Sequence, residues 1–125
     1  MKMPGPSILV VDDEADIRES FQTVLDMELD DATVEVAPDG PSALQMIERF
    51  RPDLIISDFF MPGMNGLEFL SEVQRRFGTI PCIVLTAGRA GILAMEAADL
   101  ESVQRLFDKP PDMMKFLDEV HRILS

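Results

Sequence analysis

The sequence predicts an α/β fold, a doubly wound (βα)5 domain with a five-stranded parallel sheet and helices on both faces. Three observations carry this reading. Short runs of Val, Ile and Leu recur without strict polar alternation, as in parallel strands covered on both sides. Segments with apolar residues at helical spacing lie between them. The two kinds of segment alternate five times with short connections, which calls for right-handed βαβ units.

Taken in order, the strands are residues 8–11 (ILVV), 34–37 (VEVA), 54–57 (LIIS), 80–86 (IPCIVLT) and, with a weaker signal, 105–107 (RLF). Ile17, Phe21, Val24 and Leu25 form the stripe of the first helix, and Ala43, Leu44 and Ile47 that of a shorter second one. Leu67, Leu70, Val73 and Phe77 mark the third helix; Met113, Phe116, Leu117, Val120 and Leu124 mark the last. The Ala-rich stretch 91–100 is poorly defined. Asp39-Gly40-Pro41 opens the second helix, Arg51-Pro52 closes it, and Pro62-Gly63 with Asn65-Gly66 marks a loop before the third.

With 125 residues and 46% hydrophobic content, the chain is one domain with one core, residues 1–125, of which 1–6 are expected to form a flexible N-terminus. A formal charge of -12 argues against nucleic acid or an anionic membrane as a direct partner and favours cations and basic protein surfaces. The single cysteine, Cys82, rules out an internal disulfide and reads as a small core residue. No signal core and no run of membrane-spanning length is present, so a cytoplasmic location is expected.

In such sheets, ligands bind beyond the carboxyl ends of the strands, near the point where strand order reverses. The first strand ends in Asp12-Asp13, with Glu14 next; the third ends in Asp58, the fourth in Thr86, and the fifth runs into Lys109-Pro110. Taken singly, these are ordinary helix caps, turn residues, strand content and a surface charge. Together they place carboxylates, a hydroxyl and an ammonium at one rim. Facing carboxylates repel unless a cation joins them, and an all-oxygen site suits Mg²⁺ (or Mn²⁺), which takes few carboxylates plus phosphate oxygens. A carboxylate can be the nucleophile of phosphoryl transfer, with Lys109 and Thr86 supplying charge and a donor.

Residues 8–14 (ILVVDDE), 53–58 (DLIISD), Met61-Pro62, Asn65-Gly66, Thr86-Ala87 and Lys109-Pro110 resemble the response-regulator receiver domains of two-component signalling, over essentially the whole chain. The resemblance implies strand order 2-1-3-4-5 and a phosphoacceptor at Asp58 that catalyses its own phosphorylation and dephosphorylation without being an enzyme in the turnover sense. It also implies Mg²⁺ held by Asp12, Asp13 and Asp58 with the backbone carbonyl of Phe60, and contacts to the phosphoryl group from Thr86, Ala87 and Lys109. The Lys-Pro bond would be cis. The donor would be a phosphohistidine on a histidine kinase or phosphotransfer protein. The output would be an effector protein or a linked output domain meeting the surface of helix four, strand five and helix five, with the chain a monomer or a weak, phosphorylation-dependent dimer.

Some residues depart from the family pattern. Leu106 stands where an aromatic switch residue is common, and Phe107 should point to the other face of the strand. Pro111 follows Pro110 where Phe is frequent. Phe60 and Gly88 flank the water route to the phosphoryl group and should tune its lifetime; Phe59 and Phe60 are alternatively a partner-facing apolar patch. His121 reads as a solvated helix residue. Met95, Met113 and Met114 read as packing residues, a share of them lining an adaptable partner surface. Three other functions compete. A flavin carrier would need a Ser/Thr/Gly phosphate loop where this chain has Asp12-Asp13-Glu14. A metal-dependent phosphatase would need a second acid where it has Phe60. A phosphorylation-independent binding module would keep the fold alone.

Overall fold

A computed structural model describes residues 5–125. The chain runs β1 (Ser7–Val11), α1 (Ala15–Glu28), β2 (Thr33–Ala37), α2 (Gly40–Arg49), β3 (Leu54–Asp58), α3 (Gly66–Phe77), β4 (Cys82–Thr86), α4 (Arg89–Ala98), β5 (Val103–Asp108) and α5 (Met113–Leu124). Every strand pair is parallel, and the order is β2-β1-β3-β4-β5. The chain therefore reverses direction across the sheet between β1 and β3.

Period-two alternation divides the core into two layers. Ile8, Val10, Leu54, Ile56, Ile83 and Leu85 face α1 and α5, where Phe21, Leu25, Phe116 and Val120 complete the packing. Leu9, Val11, Ile55, Cys82 and Val84 face α2, α3 and α4. Cys82 is buried, its thiol is pushed up to about 12 by burial, and Sγ donates to the Ile80 carbonyl at 3.0 Å. It is inert core material.

Three elements differ from the sequence reading by more than one residue. β4 begins at Cys82 rather than residue 80; Pro81 has no N–H to donate, though its carbonyl accepts from Ile55 N at 2.9 Å. β5 begins at Val103 rather than residue 105; it is an edge strand, where the exposed Gln104 does not look like strand content. The ill-defined stretch is an ordinary helix, α4, which begins at Arg89 behind Gly88.

Local chemistry starts the other helices. Asp39 caps α2 by accepting from Ser42 N at 2.8 Å, and Asn65 caps α3 in a reciprocal pair with Glu68 at 2.8 and 3.0 Å. Asp112 accepts from Met114 N and Lys115 N at the start of α5. Met95 packs in the core, but Met113 and Met114 stand exposed at the start of α5. Residues 1–4 of the expected flexible stretch lie outside the described residues; the carbonyl of Pro6 accepts from Thr33 N at 2.9 Å. Among the described residues no helix is long and apolar enough to cross a membrane.

Candidate functional site

The strand order brings Asp12 and Asp58 to either side of the reversal, at the carboxyl ends of β1 and β3. One ligand oxygen from each of Asp12, Asp13 and Asp58 lies within 4.8 Å of the others. Asp12 and Asp58 are buried; Asp13 is exposed. Lys109 reaches in from the end of β5, and its ammonium donates to Asp12 Oδ2 at 2.9 Å and to Asp58 Oδ2 at 3.0 Å. Its own N–H donates to the Thr86 carbonyl at 3.1 Å, and the Lys109-Pro110 bond is cis. Thr86 is fully buried, and its Oγ1 has no hydrogen-bond partner among the described residues.

Electrostatics at the rim are unbalanced. Burial pushes the Asp58 carboxyl above its ordinary 3.8, the hydrogen bond to Lys109 pulls it down, and the charge of Asp12 pushes it up again. For Lys109, burial acts to lower the ammonium, but hydrogen bonds to Asp12 and Asp58 outweigh it and hold it above its ordinary 10.5. Both partners of one ion pair thus move upward, Asp58 chiefly because it is buried and Lys109 because it is hydrogen-bonded to two acids. One ammonium is shared by two carboxylates, so lysine gains two partners while Asp58 gains a share of one.

This imbalance yields a prediction. A carboxyl whose pKa is raised by folding contributes its full stability below the unfolded value and loses it as pH rises through the folded value. Asp58 in its charged form therefore weakens the fold at neutral pH. Without divalent cations, Asp58→Asn should be more stable than the wild type at pH 7 by about 1 kcal/mol, the usual gain from relieving a destabilised site. The gap should close as pH falls toward 3.8. Urea denaturation at both pH values checks this; a variant less stable than the wild type at pH 7 contradicts it.

The remaining predicted residues sit around this centre. Ala87 and Gly88 are exposed on the turn after β4. Gly88 has φ 92, and nothing lies within 4 Å of where its Cβ would be, so backbone conformation rather than crowding keeps it glycine. Phe59 and Phe60 meet edge to face at 4.8 Å but part company in exposure: Phe59 is buried and Phe60 is 48% exposed. The expected two-residue apolar patch is therefore a single ring. Leu106 is half-buried and packs toward α4 and its neighbours, while Phe107 packs on the opposite face against Phe116. His121 is exposed. Capping does not explain the acidic cluster: Glu14 precedes α1 without a side-chain cap, and Asp12 Oδ1 accepts from Glu14 N at 2.9 Å.

Three residues have supporting roles that the sequence did not disclose. Arg18 donates to the Asp12 carbonyl at 2.7 Å, pinning the turn that aims Asp12. A Cβ at Gly66 would stand 2.7 Å from the Asp58 carbonyl oxygen, so only glycine lets α3 start against the β3 end. A Cβ at Gly91 would run into the side chain of Thr86 rather than into backbone. The Asn65-Gly66 pair signals a turn but says nothing about what the turn approaches, and no spacing rule links Arg18 to a carbonyl six residues back.

The donor set fits a small hard cation. All three candidate ligands are carboxylate oxygens, two of them buried, and they are near enough to converge with a small closure on one centre. Lys109 now lies between two of them.

Residues 8–121 match the family described as the response regulator receiver domain. The chain is 42% identical over 80 residues to the response regulator MprA of Mycobacterium ulcerans, covering 64% of this chain and 34% of that one. It thus spans about a third of that relative's length. Among solved structures it is similar to the chemotaxis response regulator CheY4 of Vibrio cholerae, with 30% identity, a TM-score of 0.82, and 96% and 99% of the two chains covered. It is also similar to the signal receiver domain of an HD domain-containing protein from Pseudomonas fluorescens Pf-5, with 28% identity, a TM-score of 0.85 and 96% and 94% covered.

Proposed function

The chain belongs to the response regulator receiver domain family, and on that premise we propose that it accepts a phosphoryl group on Asp58 and thereby switches a binding surface. The single observation that carries this reading is the buried, incompletely neutralised Asp58 carboxylate held 3.0 Å from the Lys109 ammonium beside two further acids.

An oxygen of Asp58 attacks phosphorus in line with the donor. The new O–P bond forms as the bond from phosphorus to the donor's nitrogen or oxygen breaks, and the donor leaves with that electron pair. The product is an acyl phosphate. Asp12, Asp13, Asp58 and the Phe60 carbonyl would hold Mg²⁺ or Mn²⁺, which when bound would neutralise negative charge on the phosphoryl oxygens. Lys109, already poised between Asp12 and Asp58, supplies a positive charge that can follow the phosphoryl group. The Thr86 hydroxyl is a donor without an acceptor among the described residues, a role that a phosphoryl oxygen would fill. Phe60 and Gly88, two residues beyond Asp58 and Thr86, would govern water access to the acyl phosphate in this reading.

A phosphohistidine on a kinase or phosphotransfer protein is the donor in this reading. The output partner, a separate effector or a linked domain, meets α4, β5 and α5. A charge of -12 favours protein partners with basic surfaces over nucleic acid or anionic membrane, in the cytoplasm. Leu106 supports one competing reading, a phosphorylation-independent binding module, because a half-buried leucine gives a smaller steric signal than an aromatic ring.

The test is incubation with acetyl phosphate and Mg²⁺, followed by intact mass. One phosphoryl group should be gained, the gain should require the cation, and Asp58→Asn should abolish it. No gain from either acetyl phosphate or a phosphohistidine protein would move the assignment to the binding module.

A further inference from the structure

Thr86 has a polar rim beside it, yet among the described residues its hydroxyl has no hydrogen-bond partner. What it meets instead is α4. A Cβ built on Gly91 would lie 2.1 Å from Thr86 Oγ1, 3.1 Å from Thr86 Cβ and 3.0 Å from Cδ1 of Phe59. Gly91 is buried within α4, in a position that needs no left-handed backbone. Glycine inside a helix is unfavourable compared with alanine, so its presence here has a steric reason rather than a conformational one. The bare Cα makes a recess one atom deep, and the hydroxyl fills it. The recess is apolar and therefore a poor place for a hydroxyl.

Resting on the phosphoacceptor reading, we propose that Gly91 is a positioning residue for Thr86: its missing side chain forms the recess that stores the Thr86 hydroxyl against α4 until a phosphoryl group on Asp58 draws it out. The same hydroxyl then couples the two places. When it leaves for the phosphoryl oxygen, α4 loses one of its contacts with the end of β4, and the packing of α4 becomes a function of the state of Asp58. A Cβ at position 91 does the converse, emptying the recess without phosphorylation. Gly91 thereby gives the switch a route through α4 that does not require an aromatic side chain at position 106.

The experiment is a double-mutant cycle on the whole chain with Gly91→Ala, Thr86→Ala and the pair. Uptake from acetyl phosphate with Mg²⁺ is one readout; amide exchange across Arg89–Ala98 without donor is the other. Gly91→Ala should quicken uptake about fivefold or more, the lower end of coupling between two sites, and loosen α4. Both effects should vanish in the Thr86→Ala background, where there is no hydroxyl to displace. The same change in both backgrounds, or no change in either, overturns the inference and marks Gly91 as packing against Phe59 alone. Wild-type uptake is the separate control: its absence sinks the phosphoacceptor reading and the inference with it, whereas normal uptake with an insensitive cycle sinks the inference only. Should Gly91→Ala fail to fold, three-bond couplings that report Thr86 χ1 decide the matter in the wild type. A change of rotamer on adding Mg²⁺ and beryllofluoride supports the recess, and an unchanged rotamer with beryllofluoride bound overturns it.

Discussion

Lys109→Met is expected to cost about 3 kcal/mol of stability when divalent cations are chelated, the low end for leaving buried charge unpaired. The ammonium is the one positive group that bonds the carboxylates of Asp12 and Asp58 among the described residues, at 2.9 and 3.0 Å. Their side chains are only 2% and 6% exposed, so water cannot replace it well. Methionine keeps much of the stem's volume but removes the charge, which leaves two carboxylates facing each other. Saturating Mg²⁺ should restore most of the loss, because a cation seated among the same oxygens does electrostatically what the ammonium did. Phosphoryl uptake should remain slower by a factor of about 100 even with Mg²⁺, since a preorganised charge at the reacting oxygens is gone. Urea denaturation with EDTA and with Mg²⁺ checks the first part. A loss below about 1 kcal/mol, or one that Mg²⁺ leaves unchanged, would mean that the rim is more hydrated than its burial implies.

Phe116→Ala should cost about 4 kcal/mol, within the usual range for truncating a buried aromatic residue. The ring is fully buried and joins three elements: it packs against Phe21 of α1 at 5.2 Å and against Phe107 of β5 at 5.9 Å. The void would lie under α5, beside β5 and the strand end that carries Lys109. Weakened uptake is therefore expected alongside the loss of stability, even though Phe116 touches none of the reacting groups. A control at the exposed Met114, replaced by Ala, should fall within about 0.5 kcal/mol of the wild type. Equal destabilisation by the two substitutions would contradict the packing described for α5.

The two substitutions act on different parts of what the sequence made legible. Phe116 was readable as core from its spacing with Leu117 and Val120, because burial of a helix face follows from a local period of 3.6 residues. The weight of that position comes from Phe21 and Phe107, which no local pattern assigns to it. Similarly, Met113 belongs to the same apolar stripe yet lies exposed, since it begins the helix where the sheet no longer covers it.

By itself, the sequence determined the alternation of strands and helices, the two-faced core, and the placing of Asp12, Asp58, Thr86 and Lys109 at strand ends. Each of these follows from periodicity and punctuation within a few residues of chain. The tertiary structure decided what those groups do to one another. Lys109 and Asp12 are 97 residues apart in the chain, and only the order β2-β1-β3-β4-β5 brings them within a hydrogen bond. It likewise decided that one ammonium serves two acids, that Arg18 steadies Asp12, that Phe60 is exposed while Phe59 is not, and that the Thr86 hydroxyl rests on Gly91. The physical reason is common to all four. Hydrophobic period is a property of short segments, whereas charge balance and close approach depend on distances between segments, which are fixed only when the sheet and its helices pack.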